Sequence, residues 1–231
     1  MLPLSASPRL GLVIFDCDGV LIDSEPLSVR AFAKALNNAG IPVTEQDIID
    51  RFTGHPDEVA GEMLKVDYPD MDFPAILEDL HIIHDKAFRV ELTLMPGIEA
   101  VVSGLDMPIA VASNSSVARL GSSLGLFEMA QKFGPNIYSA EMVARPKPAA
   151  DLVELCLART GVAPSRAVMI DDNPQGILAA LAAGVTAIGF VGPSEHRPGH
   201  AQALRAAGAW RVATSAAEIG DYLHELSGEP A

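Results

Sequence analysis

Short apolar runs at residues 10–15, 109–112, 137–139, 167–170 and 186–190 alternate with stretches of helical periodicity, and no other feature constrains the fold of this chain as tightly. Each run has the length and composition of a buried strand. Strands that alternate with helices give a parallel sheet covered on both faces. The expected fold is therefore α/β, with a doubly wound, Rossmann-like parallel sheet as its core. One interval breaks the alternation. Residues 25–38, 45–52, 56–65 and 73–92 read as amphipathic helices with no convincing strand among them. They are expected to form an inserted, all-helical cap domain, and Leu94-Met95-Pro96-Gly97 marks the return to the core. The division expected is 1–22 and 96–231 for the core and 23–95 for the cap.

Chemistry concentrates where the strands end. The first run leads straight into Asp16-Cys17-Asp18-Gly19, and the fourth into Asp171-Asp172-Asn173-Pro174. In an open α/β sheet the carboxyl ends of the strands face the ligand crevice, and Gly19 allows a sharp turn behind the second acid. Asp and Gly also make ordinary turns after strands. Two acidic pairs at two strand ends are harder to read that way, because gathered carboxylates repel one another and a hard cation such as Mg²⁺ offsets that cost. Asp16, Asp18, Asp171 and Asp172 are the candidate metal ligands. Between the pairs, the second run enters Ser113-Asn114-Ser115-Ser116 at a helix start. Hydroxyls and amides there can hold phosphate or simply cap the helix. Lys147, flanked by Pro146 and Pro148, offers a fixed cation, although an isolated loop lysine is usually solvated.

Taken together, the segments from Asp16 to Glu25, around Ser113, at Lys147-Pro148, and from Asp171 through Gly176 to the Ala-rich helix ending at Gly184 resemble the haloacid dehalogenase superfamily. The likeness is to its phosphatase-like members with a helical cap, and it covers nearly the whole chain. It implies that Asp16 is a nucleophile and Asp18 a general acid and base. It also implies that Ser113 and Lys147 clamp phosphate with help from Asn114 and Ser115, and that Asp172 binds Mg²⁺ with Asp171 as a further ligand or supporting partner. The implied reaction is Mg²⁺-dependent hydrolysis of a small phosphorylated metabolite, such as a sugar phosphate, through an aspartyl phosphate.

Three other functions compete. A hydrolytic dehalogenase has no use for Asp18, Asp171 and Asp172. A sugar-phosphate mutase of the beta-phosphoglucomutase type shares the core chemistry, but such proteins usually carry a cap glycine followed three positions later by arginine, and a histidine shortly after the first acidic motif. Here Gly54 is followed by His55, Pro56 and Asp57, and Ser28 stands near the histidine position. A noncatalytic phospholigand-binding protein would not need the full set of acids.

Substrate recognition is assigned to the cap, with Gly54 allowing close backbone approach and His55 donating to a hydroxyl or carboxylate, although an exposed turn explains both equally well. The segment from His196 to His200 is expected to be a surface loop, so no second metal is assigned there. The formal net charge of −14 disfavours nonspecific nucleic-acid or anionic-membrane partners. No apolar stretch reaches spanning length and the opening residues lack a signal-peptide pattern, so a soluble cytoplasmic protein is expected. Cys17 and Cys156 are too few for a disulfide framework and are expected to be reduced. Oligomeric state is not legible in the sequence.

Overall fold

A computed structural model describes residues 10–52 and 57–228, and the chain divides into two compact units. One comprises Ser24–Thr93 together with Ser194–Pro198, a segment the sequence reading places in the core; the other comprises Met1–Asp23, Leu94–Pro193 and Gly199–Ala231. Among the described residues no helix is long and apolar enough to cross a membrane.

The first unit is helical: α1 (Glu25–Asn38), α2 (Glu45–Arg51), α3 (Asp57–Asp67) and α4 (Phe73–Glu91). Thr44 and Asp47 cap α2 reciprocally, each side chain accepting the other's backbone N–H, so two otherwise orphaned donors are satisfied. Leu36, Ile41, Ile48, Phe52, Leu64, Phe73, Ile76 and Leu80 form its buried core. Gly61 permits that packing, since a Cβ there would lie 2.1 Å from the Phe73 ring. His84 is buried on α4, with its ring 3.9 Å from that of Phe88 and its Nε2 3.0 Å from the Ser28 hydroxyl. Ser28 Oγ also donates to the Ser24 carbonyl, so its proton is committed and the imidazole N–H is the donor to Ser28.

The second unit holds a six-stranded sheet in the order β3-β2-β1-β4-β5-β6, with every neighbouring pair parallel. Its strands are β1 (Leu12–Phe15), β2 (Ile109–Ser113), β3 (Ile137–Ser139), β4 (Ala167–Asp171), β5 (Thr186–Phe190) and β6 (Arg211–Ala213). Its helices are α5 (Ile98–Ser103), α6 (Val117–Leu124), α7 (Asp151–Thr160), α8 (Pro174–Ala182), α9 (His200–Ala206) and α10 (Ala216–Ser227). The doubly wound parallel sheet is the expected fold. The short edge strand β6 was not expected, because three residues with an exposed Arg211 carry no apolar run.

Burial explains the central strands. β1 and β4 are buried at every position, and Leu12, Ile14, Ala110, Ala112, Met169, Leu152, Val153, Cys156 and Ile177 share one core cluster. Each fully buried Leu, Ile or Val contributes about 1.5–3 kcal/mol. Ala179 and Ala180, both fully buried, keep α8 close to the sheet. From β1 the chain builds outward through β2 and β3, then returns to place β4 on the other side of β1. That reversal falls at the carboxyl ends of β1 and β4, the place where ligands of open α/β sheets bind.

Candidate active site

Both acidic pairs lie at this reversal. Asp16 follows β1, and its N–H donates to the Ile170 carbonyl at 2.9 Å, so the sheet ladder fixes its backbone. Asp171 ends β4 and is fully buried. Its Oδ1 accepts the Asn173 N–H at 2.8 Å, and its Oδ2 accepts from Lys147 Nζ at 2.8 Å. The same Nζ lies 3.0 Å from Asp16 Oδ1, so one buried ammonium bridges the two strand ends. Oxygen atoms of Asp16, Asp171 and Asp172 fall within 4.8 Å of one another. Two glycines make room for this cluster. A Cβ on Gly19, whose φ is +75°, would lie 2.4 Å from Asp172 Oδ2, and one on Gly176 would lie 1.8 Å from Asp171 Oδ2.

Electrostatics follow from crowding and burial. Burial pushes Asp16 up to about 7, the Asp171 and Asp18 charges push the same way, and Lys147 opposes them. Burial alone would lower Lys147, but the two carboxylates outweigh it and hold the ammonium above its ordinary range. Asp16 Oδ1 is buried, and among the described residues none meets it with hydrogen-bond geometry, Lys147 included, although that ammonium is at ion-pair distance. An all-oxygen trio of crowded carboxylates suits a hard divalent cation. Mg²⁺ therefore fits these residues.

Asp18 stands apart from the trio. Its Oδ2 accepts from the Ser115 hydroxyl at 2.8 Å, and its Oδ1 pairs with Arg119 Nη2 at 3.1 Å, which holds the carboxylate toward α6. Ser113 is buried at the end of β2, and its Oγ accepts the Ser115 N–H at 3.1 Å. The Asn114 side chain has a task that was not expected: its amide nitrogen donates to the Lys147 carbonyl and its Oδ1 accepts the Lys147 N–H, both at 3.0 Å. The Asn114 side chain thus fixes the lysine's backbone, and the helix cap falls to Ser116, whose Oγ accepts the Arg119 N–H. Gly54 and His55 lie outside the described residues.

Two residues near the site were not expected. Arg119 lies on α6 in a segment that reads as a plain amphipathic helix, and only folding brings it to an acid 101 positions away. The surface-loop reading holds for residues 196–199 and fails at His200. His196 is exposed, but His200 is buried at the start of α9, with Nε2 2.5 Å from the Asp172 carbonyl. Pro198 and Gly199 suggest a loop because they do end one, and the helix begins immediately after them. Cys17 and Cys156 are buried free thiols; burial raises Cys17 well above its ordinary range and pushes Cys156 up to about 12, so neither is poised to react.

A parallel α/β sheet with a carboxylate trio and a buried lysine at its reversal point defines an enzyme with an acidic centre suited to a metal. Residues 13–190 match the haloacid dehalogenase-like hydrolases, and the chain belongs to that family. It is 25% identical to the 6-phosphogluconate phosphatase of Escherichia coli (strain K12), over 82% of this chain and 86% of that one. It is 30% identical to the phosphorylated carbohydrates phosphatase of Thermotoga maritima, over 76% of this chain and 82% of the relative. A HAD family hydrolase of Deinococcus radiodurans R1, solved with bound phosphate and sodium, superposes with a TM-score of 0.84 at 31% identity, covering 98% of this chain and all of its own. Likeness to curated phosphatases over most of the chain supports phosphatase activity.

Proposed function

We propose that this protein is a Mg²⁺-dependent phosphomonoester hydrolase acting on a small phosphorylated metabolite, most simply a sugar phosphate, through an aspartyl phosphate on Asp16. The observation that carries this reading is Lys147 Nζ fixed between Asp16 and Asp171 beside a carboxylate trio. Asp16, Asp171 and Asp172 would hold Mg²⁺, which when bound supplies positive charge against carboxylate repulsion and accepts a phosphoryl oxygen.

The chain's own residues perform the displacement. Asp16 attacks phosphorus, a carboxylate oxygen–phosphorus bond forms, and the bond to the leaving oxygen breaks. Asp18 gives a proton to the departing alkoxide and later takes one from the water that hydrolyses the acyl phosphate. Ser115 and Arg119 orient its carboxylate for both tasks. Ser113 Oγ accepts from Ser115, which leaves its own proton to donate to a phosphoryl oxygen, and Lys147 offsets charge spread over the transition state. Asn114 contributes through its hold on Lys147.

Phosphatase chemistry is favoured over mutase chemistry by the names of the curated relatives and by the position a mutase-type histidine would take. There, Ser28 occupies itself with Ser24 and His84 inside the helical unit. Gly54 and His55 remain the proposed cap contacts to the leaving group. The test is a panel of sugar phosphates with Mg²⁺ and phosphate detection, including beta-glucose 1-phosphate with catalytic glucose 1,6-bisphosphate. Free phosphate should dominate throughout. Faster formation of glucose 6-phosphate than of free phosphate would replace the phosphatase with a mutase, and absence of Mg²⁺-dependent turnover on every substrate would favour a noncatalytic phospholigand-binding protein.

A further inference from the structure

Asp172 follows β4 directly, one residue beyond the end of the strand at Asp171. The turn that follows is tied by short-range contacts: Asp171 Oδ1 accepts the Asn173 N–H at 2.8 Å, and Asn173 Oδ1 accepts the Gln175 N–H at 3.0 Å. Both contacts stay within the turn. His200 ties the turn to a distant part of the fold, from 28 residues away, with Nε2 2.5 Å from the Asp172 carbonyl. A carbonyl oxygen only accepts, so Nε2 carries the proton and donates it. His200 is 7% exposed, which limits exchange of that bond for one to water.

The geometry points to His200 as a positioning residue for the metal-binding turn: its Nε2–H holds the Asp172 main chain so that the carboxylate stays with those of Asp16 and Asp171. Asp172 is also bounded sterically, since a Cβ on Gly19 would lie 2.4 Å from its Oδ2. With the peptide held on one side and the carboxylate bounded on the other, Asp172 is preorganised before any cation arrives. Partners that orient metal ligands in this way are typically worth about 10–100-fold in metal affinity. The inference rests on the proposed reading of the trio as an Mg²⁺ site.

Isothermal titration calorimetry of the full-length protein with Mg²⁺ alone tests it. His200→Ala should weaken Mg²⁺ binding about 10-fold or more, and activity should be recovered by raising the Mg²⁺ concentration. His200→Gln, whose amide nitrogen extends about as far as Nε2, should regain most of the affinity. His200→Asn, a shorter amide that falls short of the carbonyl, should behave like His200→Ala and replaces it if the alanine variant does not fold. An unchanged Kd in a folded His200→Ala or His200→Asn variant would overturn the positioning role while leaving the metal site standing. Equal weakening in His200→Gln and His200→Asn would also overturn it, because the donor would then be irrelevant. No Mg²⁺ binding by the wild-type protein would overturn both the metal reading and this inference.

Discussion

Asp16 is a buried acid whose Oδ1 lies at ion-pair distance from Lys147, which makes it the most informative residue to change. Asp16→Asn removes the nucleophile while keeping shape and volume. Phosphate release should fall by about three orders of magnitude or more, the scale on which enzymes lose an essential nucleophile, with an unchanged circular dichroism spectrum. Near-normal release by the purified variant would move the nucleophile elsewhere. Asp172→Ala takes away one member of the trio and should raise the Mg²⁺ concentration for half-maximal activity. His196→Ala is the control, because His196 is exposed and makes no part of the cluster. An unchanged Mg²⁺ requirement in Asp172→Ala would exclude that carboxylate as a ligand.

At the scale of the element, α8 meets β4 so closely that Gly176 has no room for a side chain. Its Cβ would lie 1.8 Å from Asp171 Oδ2, the oxygen that holds Lys147. Gly176→Ala must therefore shift the helix start or turn the Asp171 carboxylate away, and overpacking of this kind typically costs about 1–3 kcal/mol. Urea unfolding should show that loss, and Mg²⁺-dependent turnover should fall with it. Gly40 supplies the contrast. It follows α1 with a φ of +85° and has nothing within 4 Å of a built Cβ, so Gly40→Ala meets backbone strain alone. That costs about 1–2 kcal/mol, with turnover preserved wherever the variant is folded. Equal effects of the two substitutions on turnover would show that the close approach of α8 to Asp171 is not what the site needs.

For the whole molecule, the buried cluster links stability to pH. The unfolded chain releases the Asp16 proton near 3.8, whereas the folded protein holds it up to about 7. Between those values the native state binds the extra proton, so this residue makes the unfolding free energy fall as pH rises. Lys147, held above its ordinary 10.5, has linkage of the same sign in a higher window: its contribution is complete below that value and is lost only in strong alkali. In Mg²⁺-free buffer, the stability of wild type relative to Asp16→Asn should decline from pH 4 to pH 7 in urea titrations. A flat difference across that range would show that Asp16 titrates normally. Mg²⁺ at about 100 times its Kd should return about 2.7 kcal/mol to the wild type at pH 7, by mass action on the folded state.

What the sequence determined by itself is what adjacency along the chain encodes. The apolar runs, the acids directly behind two of them, and the absence of a strand between residues 25 and 92 are local patterns, so the sheet class and the positions of Asp16, Asp18, Asp171 and Asp172 were legible before folding. Tertiary structure alone decided which acids share a cluster. Asp18 looks like a partner of Asp16 by spacing, yet Ser115 and Arg119 draw its carboxylate to α6, and Asp171 and Asp172 arrive from β4 instead. The Asn114 clamp on Lys147, the Arg119 pair and the His200 tie join residues 33, 101 and 28 positions apart. No local pattern records such pairs, because hydrogen bonds between distant residues exist only once packing has fixed both ends in a site that excludes water.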